Sequence, residues 1–157
     1  MYAVQEKVAC VLMFNRSTGE VVDMVDKVKS GWRPEGEGEG GPEASGYKVT
    51  ALDGGFIVLG GEFALGKSNW NRSVVKWCGV ADEWSHLPPL LHPRRHHSLV
   101  RVGTDIYLLG GFGKHRIILD SVEVLDTVTG VSRECAGLPE PMYRPAATEF
   151  KVTKKTF

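Results

Sequence analysis

An apolar run closed by two glycines occurs twice in this chain. The copies are Phe56-Ile57-Val58-Leu59-Gly60-Gly61 and Ile106-Tyr107-Leu108-Leu109-Gly110-Gly111, and Gly61 and Gly111 lie 50 residues apart. Self-similarity at such a period describes a small unit that buries its faces only by stacking on copies of itself. A short apolar run bounded by turn residues fits a strand covered on both faces. A glycine pair at its end lets the chain turn beside a neighbouring backbone, where a Cβ would not fit.

The flanks repeat as well. Asp53-Gly54-Gly55 precedes the first run and Gly103-Thr104-Asp105 the second, each a hairpin signal. Behind each glycine pair come a polar loop and a further strand-like run, Ser73 to Trp77 and Ser121 to Leu125. The segment Trp77 to Trp84 aligns with Leu125 to Ser132, 48 residues on, and with Phe14 to Val21, 63 residues earlier. Leu87-Pro88 is matched to Leu138-Pro139, and Arg94 to Arg144.

This pattern resembles the kelch repeat and, with it, the propeller part of the kelch-like family of BTB-domain proteins. The resemblance is carried by the double glycines Gly60, Gly61, Gly110 and Gly111, by Tyr107 ahead of the second pair, by Arg94 with His97-Ser98, and by Asp82-Glu83-Trp84 leading into Leu87-Pro88. Ser132 and Val21 stand where the family usually has Trp, so those repeats are expected to pack less firmly than the one holding Trp84. The resemblance implies an all-β chain: part of a kelch-type β-propeller, with about two complete four-stranded antiparallel blades and partial blades at both ends.

Taken in order, residues 1–25 read as the outer hairpin of a partial blade, and 26–46 as a linker dominated by Glu35-Gly36-Glu37-Gly38-Glu39-Gly40-Gly41-Pro42-Glu43. Glycine entropy and carboxylate repulsion work against order in such a segment. Residues 47–90 and 91–142 read as kelch repeats. Their strands are expected at about 47–52, 55–60, 72–78 and 83–87, then at 96–101, 105–110, 119–125 and 131–135. Residues 143–157 start a further repeat and a tail. The first hairpin lacks its glycine pair, so the expectation is that Met1 starts inside a blade, and that an array open at both ends self-associates in isolation. Trp84 is expected to bury its ring between blades.

A second motif competes. Gly61-Glu62-Phe63-Ala64-Leu65-Gly66-Lys67-Ser68 satisfies G-x-x-x-x-G-K-[ST] and follows an apolar strand. A phosphate-binding loop also needs a helix behind it and a parallel sheet. Trp70, Val74 and Trp77 do fall at helical spacing. However, Val74 to Trp77 is in register with Val122-Glu123-Val124-Leu125, which alternates at period two, and the equivalent link after Gly111 lacks the motif. The strand reading is preferred, and no cofactor is expected.

Other chemistry finds little support. His92, His96 and His97 are close in sequence, but neighbours on a strand face opposite ways and no Cys or carboxylate completes a metal set. No metal site and no catalytic residue is expected. Cys10, Cys78 and Cys135 form an odd set without CxxC spacing, read as reduced thiols in a cytoplasmic protein. A formal net charge of zero disfavours sequence-blind nucleic-acid binding, and no apolar run reaches a membrane-spanning length.

In a four-stranded antiparallel blade, the loop between strands two and three emerges on the same rim as the link to the next blade. Loops 62–72, 88–97, 112–120 and 136–144 then gather on one face with a formal charge of +4, before counting histidines. Arg clamps carboxylates through paired hydrogen bonds. Arg94, Arg95, Lys114, His115, Arg116 and Arg144 are therefore the candidate partner-binding residues, and an acidic peptide segment is the candidate partner. The expected function is a non-enzymatic protein-interaction module. The resemblance implies substrate recognition for a cullin-3 ubiquitin ligase through a BTB domain that these residues do not contain. A cytoskeletal, actin-binding kelch scaffold is the alternative in the same fold, and a nucleotide-binding protein the alternative outside it.

Overall fold

The computed structural model describes residues 12–14, 17–23, 44–63 and 72–150. Within them the chain is all-β apart from one short turn of 3₁₀ type at Lys114–Arg116. Strands β1 (Leu12–Phe14) and β2 (Val21–Asp23) form a hairpin, and β3 (Ala44–Ser45) pairs with β6 (Glu62–Phe63). One four-stranded antiparallel sheet has the order β4 (Lys48–Leu52), β5 (Gly55–Leu59), β7 (Val74–Cys78), β8 (Glu83–Leu87). The other repeats it with β9 (Ser98–Val102), β10 (Asp105–Leu109), β11 (Val122–Asp126) and β12 (Ser132–Cys135).

Register shows that the repeat is physical. Phe14 pairs with Val21, Trp77 with Trp84 and Leu125 with Ser132, the same alignment position each time. The turns between these strands put Gly19, Asp82 and Gly130 at one equivalent place, all with left-handed backbone (φ +74°, +51° and +73°). In the last of them Asp126 Oδ1 accepts from the Val128 and Thr129 amides, and these donors hold its carboxyl below the usual range.

The core lies between the two sheets. Ile57, Leu59 and Val74 of the first meet Ile106, Leu108 and Leu125 of the second, with Leu90 inserted from the connection between them. All of β5 is buried, as its unbroken apolar run predicts, whereas β10 buries Ile106 and Leu108 and leaves Tyr107 and Leu109 part-exposed. The first strands of the sheets are neighbours: Arg101 on β9 donates to the Ala51 carbonyl on β4 at 2.8 Å. On the far side of β5, Phe56, Trp77 and Trp84 form one cross-strand row, with Phe56 5.1 Å from Trp77 and edge-on to Trp84 at 5.6 Å. Trp84 is half-buried and packs against Phe56 of its own sheet, and most of the preceding partial blade, against which its ring was expected to bury, lies outside the described residues.

The phosphate-loop alternative needs a helix where the structure has β7, which pairs antiparallel with β5. Residues 64–71, which hold the Lys67-Ser68 end of that motif, lie outside the described residues, as does most of the acidic linker and of the first hairpin. No strand forms between Arg144 and Phe150, where a further blade was expected to start; residues 151–157 again lie outside. Cys78 and Cys135 close their strands as free thiols. Among the described residues, no helix is long and apolar enough to cross a membrane.

Candidate functional site

Strand register decides which loops share a rim. Lys48, Leu59, Val74 and Leu87 stand at one end of the first sheet, and Ser98, Leu109, Val122 and Cys135 at the same end of the second. The described parts of the first loop, 60–63 and 72–73, and the segments 88–97, 110–121 and 136–145 therefore emerge together.

Both glycine pairs organise this rim. The amides of Gly60 and Gly110 donate to Ser73 and Ser121 within their own loops, whereas those of Gly61 and Gly111 reach the carbonyls of Arg94 and Met142 in the connection that follows each sheet. Each of the four has positive φ, and a Cβ on Gly60, Gly110 or Gly111 would stand 2.4–2.6 Å from a backbone oxygen. Glycine is required by approach as well as by dihedral.

This frame corrects the alignment at the rim. Leu90 and Leu138 are equivalents, donating to Arg72 and Asp120, so the Leu-Pro dipeptides had been matched three residues out of step. Arg144 is the counterpart of His96, not of Arg94. Gly46, His96 and Arg144 are each left-handed (φ +69°, +51° and +52°). They form a ladder in which the His96 amide donates to Gly46 and the Arg144 amide to His96, both at 2.8 Å. Met142 occupies the position of Arg94.

That difference matters because Arg94 is fully buried. Its Nη1 donates to the Gly110 carbonyl at 3.1 Å and to that of Ser121 at 3.3 Å, while Nη2 reaches Ser121 Oγ at 3.2 Å and Glu123 Oε2 at 3.3 Å. Glu123, also fully buried, accepts from the Leu91 amide at 2.7 Å through Oε1. Burial pushes the Arg94 guanidinium down from its usual range, and the Glu123 carboxylate opposes that shift. Arg94 is therefore a structural tie between connection and sheet, and its assignment to the partner-binding set is corrected. His97, beside it, is equally buried. Burial, and then the charge of Arg94, drive its pKa well below the ordinary value, so its ring is neutral in the fold.

The remaining candidates stay near the surface. Lys114, His115, Arg116 and Arg144 are exposed, and Arg95 is half-buried with its guanidinium 5.4 Å from the Phe112 ring centre. Arg72 is exposed on the same rim, which also carries the carboxylates Asp120 and Glu140. His92 pairs with Glu134 at 2.6 Å instead of joining a metal set, and among the described residues no three metal-ligating side chains converge. Sequence reasoning missed Phe112 and Tyr143, whose rings stack 5.0 Å apart from positions 31 residues distant, and it missed the burial of Glu123.

Comparison with known proteins agrees with this geometry. The kelch motif matches residues 93–139. Human kelch-like protein 33 is 34% identical over 57% of the chain, and human kelch-like protein 30 is 31% identical over 50%. An F-box/kelch-repeat protein of Arabidopsis thaliana is 28% identical over 70%. The chain spans only 17%, 13% and 30% of the lengths of these relatives. The solved structure of YjhT superposes on 84% of the chain with a TM-score of 0.55 at 15% identity, the chain covering 44% of it, which establishes the fold.

Proposed function

We propose that this chain, a kelch-repeat protein similar to the kelch-like family and folded as part of a β-propeller, is a protein-interaction module whose loop-bearing rim takes an acidic segment of a partner. One observation carries the reading. Lys114, Arg116 and Arg144 are exposed on a single rim, and among the described residues none of them is in an ion pair. Cations already matched within the fold contribute little to a partner; unmatched ones steer it and clamp its carboxylates. The kelch-like relatives support a further step, in which this rim holds substrates for a cullin-3 ubiquitin ligase through a BTB region supplied outside these residues, in the cytoplasm.

The test is charge reversal. A triple variant, Lys114→Glu with Arg116→Glu and Arg144→Glu, is expected to lose saltable binding to a glutamate-rich peptide while melting as the parent does. Undiminished binding sinks the acidic-partner reading. The ligase role is tested separately, by whether a polypeptide joining a BTB region to this chain co-precipitates cullin-3 from cells.

A further inference from the structure

The rim carries an aromatic feature beside its charge. Phe112 pairs through its backbone with Arg95 on one side and Ile118 on the other, which fixes it where the connection 88–97 meets the loop 112–118. The Arg95 guanidinium lies over this ring, the Tyr143 ring packs on it at a 30° tilt, and His96 meets it edge-on at 6.4 Å. Tyr143 remains 52% exposed. Two successive connections and one intervening loop thus build a single stack.

The loop beyond Phe112 is closed by the Gly113 amide donating to Ile117 at 2.8 Å and the Ile117 amide donating to Lys114 at 3.1 Å. Inside it, His115 and Arg116 are consecutive left-handed residues (φ +54° and +60°). That conformation is unfavourable for any residue with a Cβ, and this turn buries none of its side chains in return.

We infer that the Arg95-Phe112-Tyr143 stack and the Lys114–Arg116 turn form one recognition platform for an acidic peptide segment bearing an aromatic side chain next to its carboxylates. This rests on the reading of the rim as the site of an acidic partner. The exposed part of Tyr143 takes the partner ring by stacking, and the cations of the turn take the flanking carboxylates. A purely acidic segment leaves the tyrosine in water, and a neutral aromatic one leaves the cations unmatched, so the platform selects for both together.

The test uses fluorescence polarisation with the full 157-residue chain. Its probes are a labelled glutamate-rich peptide with one central tryptophan, the same peptide with alanine for tryptophan, and the same with glutamine for every glutamate. The tryptophan probe is expected to bind about three- to tenfold more tightly than the alanine probe, and the glutamine probe not to bind. Tyr143→Ala is expected to erase the tryptophan advantage and leave the alanine probe unchanged; Tyr143→Phe, which keeps the ring, is expected to retain it. Arg116→Glu is expected to weaken both acidic probes. Equal affinity for the tryptophan and alanine probes, or equal losses for both in Tyr143→Ala, overturns the platform and leaves the acidic rim standing. No saturable binding of either acidic probe overturns both.

Discussion

Arg94 and Glu123 form an ion pair with no exposure of either side chain, guanidinium to carboxylate at 3.3 Å, tying the connection before the second sheet to its third strand. The repeat supplies its own comparison. By position, the counterparts one repeat earlier are Ala44 and Val75, and Met142 stands at the Arg94 position one repeat later. The same backbone frame is thus built with and without the charges.

Breaking the pair from one side leaves an uncompensated buried charge. Arg94→Met or Glu123→Gln alone is expected to cost about 3–5 kcal/mol in urea unfolding. The double variant Arg94→Met with Glu123→Val, which copies the residues of the neighbouring repeats, is expected to cost less than either. Additive losses in that double-mutant cycle contradict the account.

The glycine pairs separate conformation from crowding. Gly54 (φ +77°) has open space at its Cβ position, whereas a Cβ on Gly60 would stand 2.5 Å from the Arg94 oxygen and one on Gly111 2.6 Å from that of Arg95. Gly54→Ala is expected to cost about 1 kcal/mol, and Gly60→Ala or Gly111→Ala at least about twice that. Thermal melts of the three variants rank them; equal shifts refute the crowding argument.

His97 makes stability depend on pH. Its folded pKa lies well below the ordinary 6.5 because burial, and then Arg94, Lys48 and His96, oppose a second positive charge there. Below about pH 6.5 the unfolded chain binds a proton that the fold does not, so stability is fully present above that pH and falls beneath it, by up to about 1.4 kcal/mol per pH unit. Urea midpoints between pH 7.5 and 5 measure this slope. His97→Asn is expected to flatten it, even if the variant is less stable throughout.

The aromatic row is predicted to be uneven. Phe56 is 2% exposed and lies under both indoles, so Phe56→Ala is expected to cost about 3–5 kcal/mol. Trp84, half-buried at the outer strand, is expected to cost about 2 kcal/mol when replaced by Ala, since part of its surface already faces water. Unfolding of both variants by chemical denaturant gives the order, and a larger loss at Trp84 reverses the argument.

Chain pattern alone determined the unit and its period, because strand pairing within a blade is local. Apolar runs, hairpin turns and glycine pairs recur in the sequence with the spacing at which Phe14–Val21, Trp77–Trp84 and Leu125–Ser132 come to face one another. The rim was decided only in three dimensions. Whether an arginine is surface or core depends on what stands opposite it: Arg94 and Arg95 are adjacent in sequence, yet one meets Glu123 29 residues away inside the protein and the other lies over Phe112. A Leu-Pro dipeptide misled the alignment by three places, since it is backbone hydrogen bonding, not side-chain identity, that makes Leu138 the equivalent of Leu90, through the loops, and Arg144 that of His96, through the ladder of connections. The burial of Glu123 against Arg94 and the stacking of Phe112 on Tyr143 join side chains about 30 residues apart that have no counterpart in the other copies of the repeat, so no periodic pattern announces them.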